Sequence, residues 1–241
     1  MRGILRMIPS SYGGGGIVVN PLWDGLHGYW NADDNPNDSK GTYNGVLTNG
    51  ATYGTGIIND GFSFDGVNDF VDMGDVLDFD GSTPFSISLW VYLSSVSGVQ
   101  MLISKQSQAA SKVGYSIFLS AGRFNFLLAN YRTTNNILVN AVTTVPAINT
   151  WYNVVVTYDG SKNATGGGVI FSINSVNEVN INENNLTGST SNSTSFNIGA
   201  RDSTIYYTNG NIDEVGIWNR VLTSAEITEL YNGGEGLQYI P

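Results

Sequence analysis

Asn211-Ile212-Asp213-Glu214-Val215-Gly216-Ile217-Trp218-Asn219-Arg220-Val221-Leu222-Thr223-Ser224-Ala225-Glu226-Ile227 decides the fold class. Its first part, with Ile212, Val215, Ile217 and Val221, reads as a strand. It runs straight into a short helix. Thr223-x-x-Glu226 forms a capping box, with Leu222 and Ile227 placed as a hydrophobic staple. Ile227, Leu230 and Tyr231 then share one helical face, and Gly233-Gly234 stops the helix. The rest of the chain carries almost no other helical signal. The expected architecture is therefore all-β, closed by one short helix near residues 223 to 231.

Upstream, short strand signals alternate with turn clusters. Phe62-Ser63-Phe64 stops at Asp65-Gly66, and Phe70 to Met73 resumes after it. Phe85, Ile87, Leu89, Val91 and Leu93 form one apolar face of a strand whose other face carries Trp90 and Tyr92. That strand is expected to be central and covered on both sides. Further strands are expected over 101–105, 114–120, 123–129, 136–142, 151–158, 169–174, 196–200 and 211–218. Ala121-Gly122 reads as a two-residue hairpin connection. The loop over 161–168, with three successive glycines, is long. A strand about every ten residues predicts one two-sheet antiparallel sandwich over 21–241.

The chain has 241 residues, 20 Asp and Glu against 10 Lys and Arg, a net charge of −10 and no cysteine. No basic stripe exists to displace counterions from phosphates, which argues against a nucleic-acid partner. Disulfides and thiolate chemistry are excluded. No apolar run approaches the length of a membrane span. Residues 1 to 20 read as an arm: Arg2 and Arg6, no acids, and a hinge of Gly13 to Gly16. It fits either docking onto a neighbouring subunit or a frayed terminus. No secretory signal peptide is read, because Pro9 and the glycines interrupt any apolar core.

Several elements in order carry a resemblance. They are Gly28-Tyr29-Trp30 with Asp38-Ser39-Lys40-Gly41, Phe62 to Val71, Phe85 to Val91, Ile103-Ser104-Lys105, Asn149 to Gly160, Asn197-Ile198-Gly199, and Ile212-Asp213-Glu214-Val215 with its helix. Together they resemble a laminin-G-like module of the concanavalin A-like lectin/glucanase jelly-roll superfamily, across residues 26 to 232. The resemblance implies a jelly-roll β-sandwich. One departure is Asn174-Ser175-Val176-Asn177, where the family usually has Asp-Gly or Asn-Gly in the hairpin.

The loop Asn31 to Gly41 concentrates oxygen donors. Similar modules often hold Ca²⁺ between this loop and the last strand. Carried over, Asp38 and Asp213 are expected side-chain ligands and Gly41 a carbonyl ligand of a structural ion. A second acidic run, Asp60 to Asp80, reads as turn residues or as a cation site. The glucanases of this fold use a Glu-x-Asp-x-(x)-Glu strand, which is absent here. Asp213 and Glu214 are adjacent, point to opposite faces and cannot flank one bond. His27, the single histidine, has no nucleophile elbow beside it. Catalysis is not expected. For sugar binding, which stacks an aromatic ring on a pyranose and adds planar polar groups, the candidates are Tyr131 and Arg132 with Asn135 and Asn136, and Arg201 and Asp202 with Tyr206 and Tyr207. The same tyrosines equally suit the sandwich rim or a contact in a homo-oligomer.

Two functions follow. One is a virion-surface decoration or fibre-type protein of a phage, with residues 1–16 anchored on capsid or fibre subunits. The other is a secreted carbohydrate-binding or adhesion module with glycan partners.

Overall fold

The computed structural model describes residues 20–241. The expected arm with its glycine hinge lies outside the described residues, save Asn20. In chain order the strands are β1 (Leu26–Trp30), β2 (Val46–Thr48), β3 (Thr52–Thr55), β4 (Asp60–Asp65), β5 (Phe70–Asp72), β6 (Phe85–Leu93), β7 (Gln100–Gln106) and β8 (Gly114–Ser120). They continue as β9 (Arg123–Tyr131), β10 (Asn135–Ala141), β11 (Trp151–Tyr158), β12 (Val169–Ile173), β13 (Val176–Asn177), β14 (Val179–Asn184), β15 (Asn197–Ile198) and β16 (Asn209–Trp218). One α-helix, α1 (Ser224–Tyr231), follows.

These strands form two eight-stranded antiparallel sheets. The first runs β13-β12-β11-β6-β16-β4-β3, with β1 also paired to β16; the second runs β14-β10-β9-β8-β7-β15-β5-β2. Strand β6 is central, between β11 and β16, and all its residues but Tyr92 are buried. Trp90 stacks on Tyr231 of the helix at 5.8 Å, which explains an apolar residue on that face. The inner faces of both sheets share one core, in which Phe85, Phe126, Tyr115 and Phe196 meet Ile87, Val156 and Ile217.

Strand β16 has two neighbours along one edge. β4 pairs with Asn209 to Ile212 and β1 with Val215 to Trp218. A bulge between Asp213 and Gly216 separates the two halves, and Glu214 sits there at φ +49°. The inward apolar positions Ile212, Val215 and Ile217 are consequently spaced three and then two apart. The expected strand therefore exists, but with its alternation reset once.

The helix forms as its sequence dictates. Both hydrogen bonds of the Thr223–Glu226 capping box are present. Leu222, Ile227 and Leu230 pack with Trp218, Leu26 and Leu22 in a second cluster on the outer face of the first sheet. The helix is terminated one residue before the expected glycines, by Asn232 in the left-handed region at φ +48°. Ala121-Gly122 turns as expected, both residues at positive φ. Asn174 and Ser175 do the same at φ +51° and +64°, joining Ile173 to Val176 in register despite the missing glycine.

Strands β2, β3 and β14 had no clear sequence signal. The first two are short edge elements of three and four residues. In β14 asparagines interrupt the β-branched residues, and the strand is fastened by Asn180 and Asn182, whose amides donate to Asn140 Oδ1 at 2.8 and 2.7 Å. The segment expected over 196–200 pairs only at Asn197 and Ile198.

Candidate functional site: a groove on the second sheet

Strands β8, β9 and β10 carry apolar residues on both faces. Ile117, Phe126, Leu128 and Val139 enter the shared core. Phe118, Leu127 and Leu138 point the other way and cluster with Met101, Val99 and Tyr206 on the outer face. This outward cluster is already largely covered: Met101, Phe118, Leu127 and Leu138 are each less than a tenth exposed.

Two loops wall this floor. The first lies between β7 and β8, where Ser111 O accepts from the Arg132 amide at 2.9 Å. The second lies between β15 and β16, where Met101 N donates to Tyr206 O at 2.7 Å and Thr208 Oγ1 donates to Met101 O at 2.7 Å. Asp202 ties the loops together by accepting from Gln108 N at 2.9 Å. Asp202, Ser203 and Tyr206 all adopt positive φ. Such a conformation is costly for a bulky aromatic and persists where the surroundings fix it.

The walls and floor enclose about 160 Å³, lined by Met101, Phe118 and Leu127 below and by Gln106, Lys112, Arg132, Arg201 and Tyr206 at the sides. Arg201 is only 6 % exposed and its guanidinium lies 4.6 Å from the Tyr206 ring centroid. Burial pulls its pKa down from the usual arginine value. Arg132 is half-covered and pairs with Glu183 at 3.0 Å, while Asn136 Nδ2 donates to the other Glu183 oxygen at 2.7 Å. A second, more polar hollow of about 280 Å³ continues past Val99 and Tyr206 to Tyr207, Gln100 and Asn209.

Of the residues expected to bind sugar, the structure brings Arg132, Arg201 and Tyr206 into the first hollow and Tyr206 and Tyr207 into the second. Tyr131, at the end of β9, is 42 % exposed and lines neither. Asn135 is engaged with the 187–188 backbone and Thr187. The floor residues Met101, Phe118 and Leu127 escaped sequence reasoning. Their signal was the uninterrupted apolar triplets Ile117-Phe118-Leu119 and Phe126-Leu127-Leu128, which leave an apolar residue on each face.

The expected calcium ligands have other tasks. Asp38 Oδ1 accepts from the amides of Tyr29 and Lys40 at 2.8 Å each, and Oδ2 from those of Thr42 and Tyr43 at 3.0 Å. Asp213 accepts from Ile57, Ile58 and Glu214 N–H at 2.9, 3.2 and 2.7 Å. Carboxylates ringed by backbone N–H donors do not fit a cation held between them, because the donors present positive charge to it. Gly41 N donates to Asp38 O at 2.6 Å, closing the same turn. Burial pushes the Asp213 pKa up to about 8 against the pull of its three amides, and that of Glu214 up to about 9. Glu214 accepts from Tyr29 OH, and its Oε1 has no partner. The two acids thus leave β16 toward different neighbours. The Asp60–Asp80 run fills turns, as where Asp65 accepts from Val67 N and Asp72 from Gly74 N, and neutralises buried Lys105 through Asp75 at 2.7 Å. His27 bonds Tyr43 OH at 3.0 Å.

A family model described as Laminin_G_3, concanavalin A-like lectin/glucanases superfamily, matches residues 65–228. The chain belongs to this family. Among curated proteins nothing matches. Several solved structures share the fold. The binding domain of Paraclostridial Mosquitocidal Protein 1 is 16 % identical with a TM-score of 0.66, over 88 % of this chain and 53 % of that one. Domain 4 of AbnA, a GH43 extracellular arabinanase from Geobacillus stearothermophilus, was solved in complex with arabinotriose. It is 18 % identical with a TM-score of 0.57, over 85 % and 97 % of the two chains. The botulinum neurotoxin serotype G binding domain is 16 % identical with a TM-score of 0.59, over 82 % and 48 %. The chain thus spans about half of the mosquitocidal and neurotoxin binding domains and nearly all of the arabinanase domain.

Proposed function

We propose that this laminin-G-like chain is a non-enzymatic binding module that holds a glycan in the groove on the outer face of the second sheet. One observation carries the reading. Two segments far apart in sequence, one bearing Arg132 and the other Arg201 and Tyr206, converge over the mostly buried Met101, Phe118 and Leu127. An apolar floor with an aromatic ring and planar donors at its sides is the chemistry a pyranose needs: its C–H face is covered and its hydroxyls are paired. No Asp or Glu lines either hollow, so no carboxylate couple stands ready to cleave a glycosidic bond there. The arabinotriose complex of the arabinanase domain supports a saccharide as the ligand on such a scaffold.

A glycan array tests it. Binding is expected to selected glycans and to fall at least about tenfold in Tyr206→Ala, with the melting curve preserved. An array without a single hit overturns the reading.

The virion-surface placement depends on residues 1–16 as an anchor to capsid or fibre subunits. Deleting them is expected to abolish incorporation into particles while leaving glycan binding unchanged. Incorporation that survives the deletion removes residues 1–16 as the anchor, whereas a full-length chain that never enters particles removes the virion placement and leaves the secreted adhesion module.

A further inference from the structure

We propose that the groove is specific for an acidic saccharide, a sugar bearing a carboxylate such as a sialic or uronic acid, and that Arg201 recognises the carboxylate. This rests on the groove being a sugar site and names the class of sugar.

The charges of the hollow are one-sided. Three of the chain's ten Lys and Arg line it, namely Lys112, Arg132 and Arg201, and no acid does, in a chain with 20 acids. The three cations differ in their commitments. Arg132 is neutralised by Glu183. Arg201 makes no ion pair among the described residues, although it is nine-tenths buried. Its Nε is enclosed without a hydrogen-bond partner. The adjacent Asp202 carboxylate is turned to the amide of Gln108 instead.

A buried guanidinium with no direct ion pair, whose neighbouring carboxylate Asp202 acts on it only at a distance, is an arrangement that a ligand anion can improve. Its planar fork matches the two oxygens of a carboxylate. The Tyr206 ring beneath it holds the plane of that fork. A neutral sugar covers Arg201 without compensating its charge. An acidic sugar delivers an anion to the wall, above the mostly buried Met101, Phe118 and Leu127. The overall charge of −10 repels acidic ligands at long range, so the selectivity is local and is read best at physiological salt.

Calorimetric titration of the full chain with matched pairs tests this: sialyllactose against lactose, and trigalacturonic acid against galactotriose. At least one acidic sugar is expected to bind about tenfold or more tightly than its neutral counterpart, the size of one charge-assisted pair. Arg201→Gln is expected to erase that ratio. Because Arg201 is buried and its replacement can perturb the fold, carboxyl-reduced sialyllactose and galacturonate give the same comparison on the unaltered protein, and reduction is expected to erase the advantage. Neutral sugars that bind as well as acidic ones overturn the specificity and leave the sugar site standing. An advantage that survives Arg201→Gln in a folded protein overturns the role of Arg201. Binding by none of the four sugars, together with a blank array, overturns the sugar site as well.

Discussion

Glu214 sits in the bulge of β16 at positive φ, accepts from Tyr29 OH and leaves Oε1 unpaired. Its pKa of about 9 means that the folded protein keeps a proton that the unfolded chain releases at a much lower pH. Asp213, at about 8, does the same. Their contribution to stability is complete below the ordinary carboxylate range and is lost as pH rises through these folded values, at up to about 1.4 kcal/mol per pH unit for each group. Denaturant midpoints are therefore expected to fall between pH 6 and pH 9, and Glu214→Gln to flatten that fall. Midpoints that rise over this range contradict the protonated pair. Asp38 is the opposite case, an acid buried among four amides. Asp38→Ala leaves those donors unpaired and is expected to destabilise by about 3 kcal/mol or more. A chelator is expected to leave the melting temperature unchanged, and a fall on chelation that added Ca²⁺ reverses contradicts the N–H-filled site. Ser175, at φ +64°, occupies the place glycine favours in a tight hairpin. Ser175→Gly is expected to add about 0.5–1 kcal/mol in chemical denaturation; a lower midpoint contradicts a strained turn.

At the scale of elements, the join of β16 and α1 holds the first sheet to its cover. Thr223 and Glu226 cap each other, and Arg220 grips Glu226 at 2.6 Å while donating to the carbonyls of Pro21, Leu22 and Asp24. Trp218 Nε1 donates to Leu22 O at 2.8 Å. Thr223→Ala is expected to cost about 1 kcal/mol, read as a lower denaturant midpoint with an unchanged slope. This join was legible in the chain because each of its signals is local: a cap, a staple and a run of β-branched residues. The long strands β6, β8, β11 and β16 were legible for the same reason. The bulge was not read, although Ile212, Val215 and Ile217 carry its spacing, because the alternation was read as continuous. Edge strands β2 and β3 were invisible because they bury little and pair through backbone alone. The hairpin at Asn174-Ser175 keeps its register because the inward residues Phe171 and Ile173 allow no one-residue slip.

At the scale of the whole molecule, the first sheet is covered on its outer face by α1 and the segment after it, whereas the second sheet carries its outward apolar floor under two loops. The sequence contained the groove's polar and aromatic residues as two separate clusters, around 131–136 and 201–207. Nothing local says that they meet, since strands β7 to β9, side by side in the second sheet, bring them together. Among the described residues no helix is long and apolar enough to cross a membrane. The difference between the two outer faces is what the proposed binding on the second sheet rests on. A backbone amide NMR titration with the strongest saccharide from the array tests this most directly. Shifts concentrated at Met101, Phe118, Leu127, Arg201 and Tyr206 are predicted; shifts gathered instead around α1 or the Asn31–Gly41 loop, with these five unmoved, would contradict it.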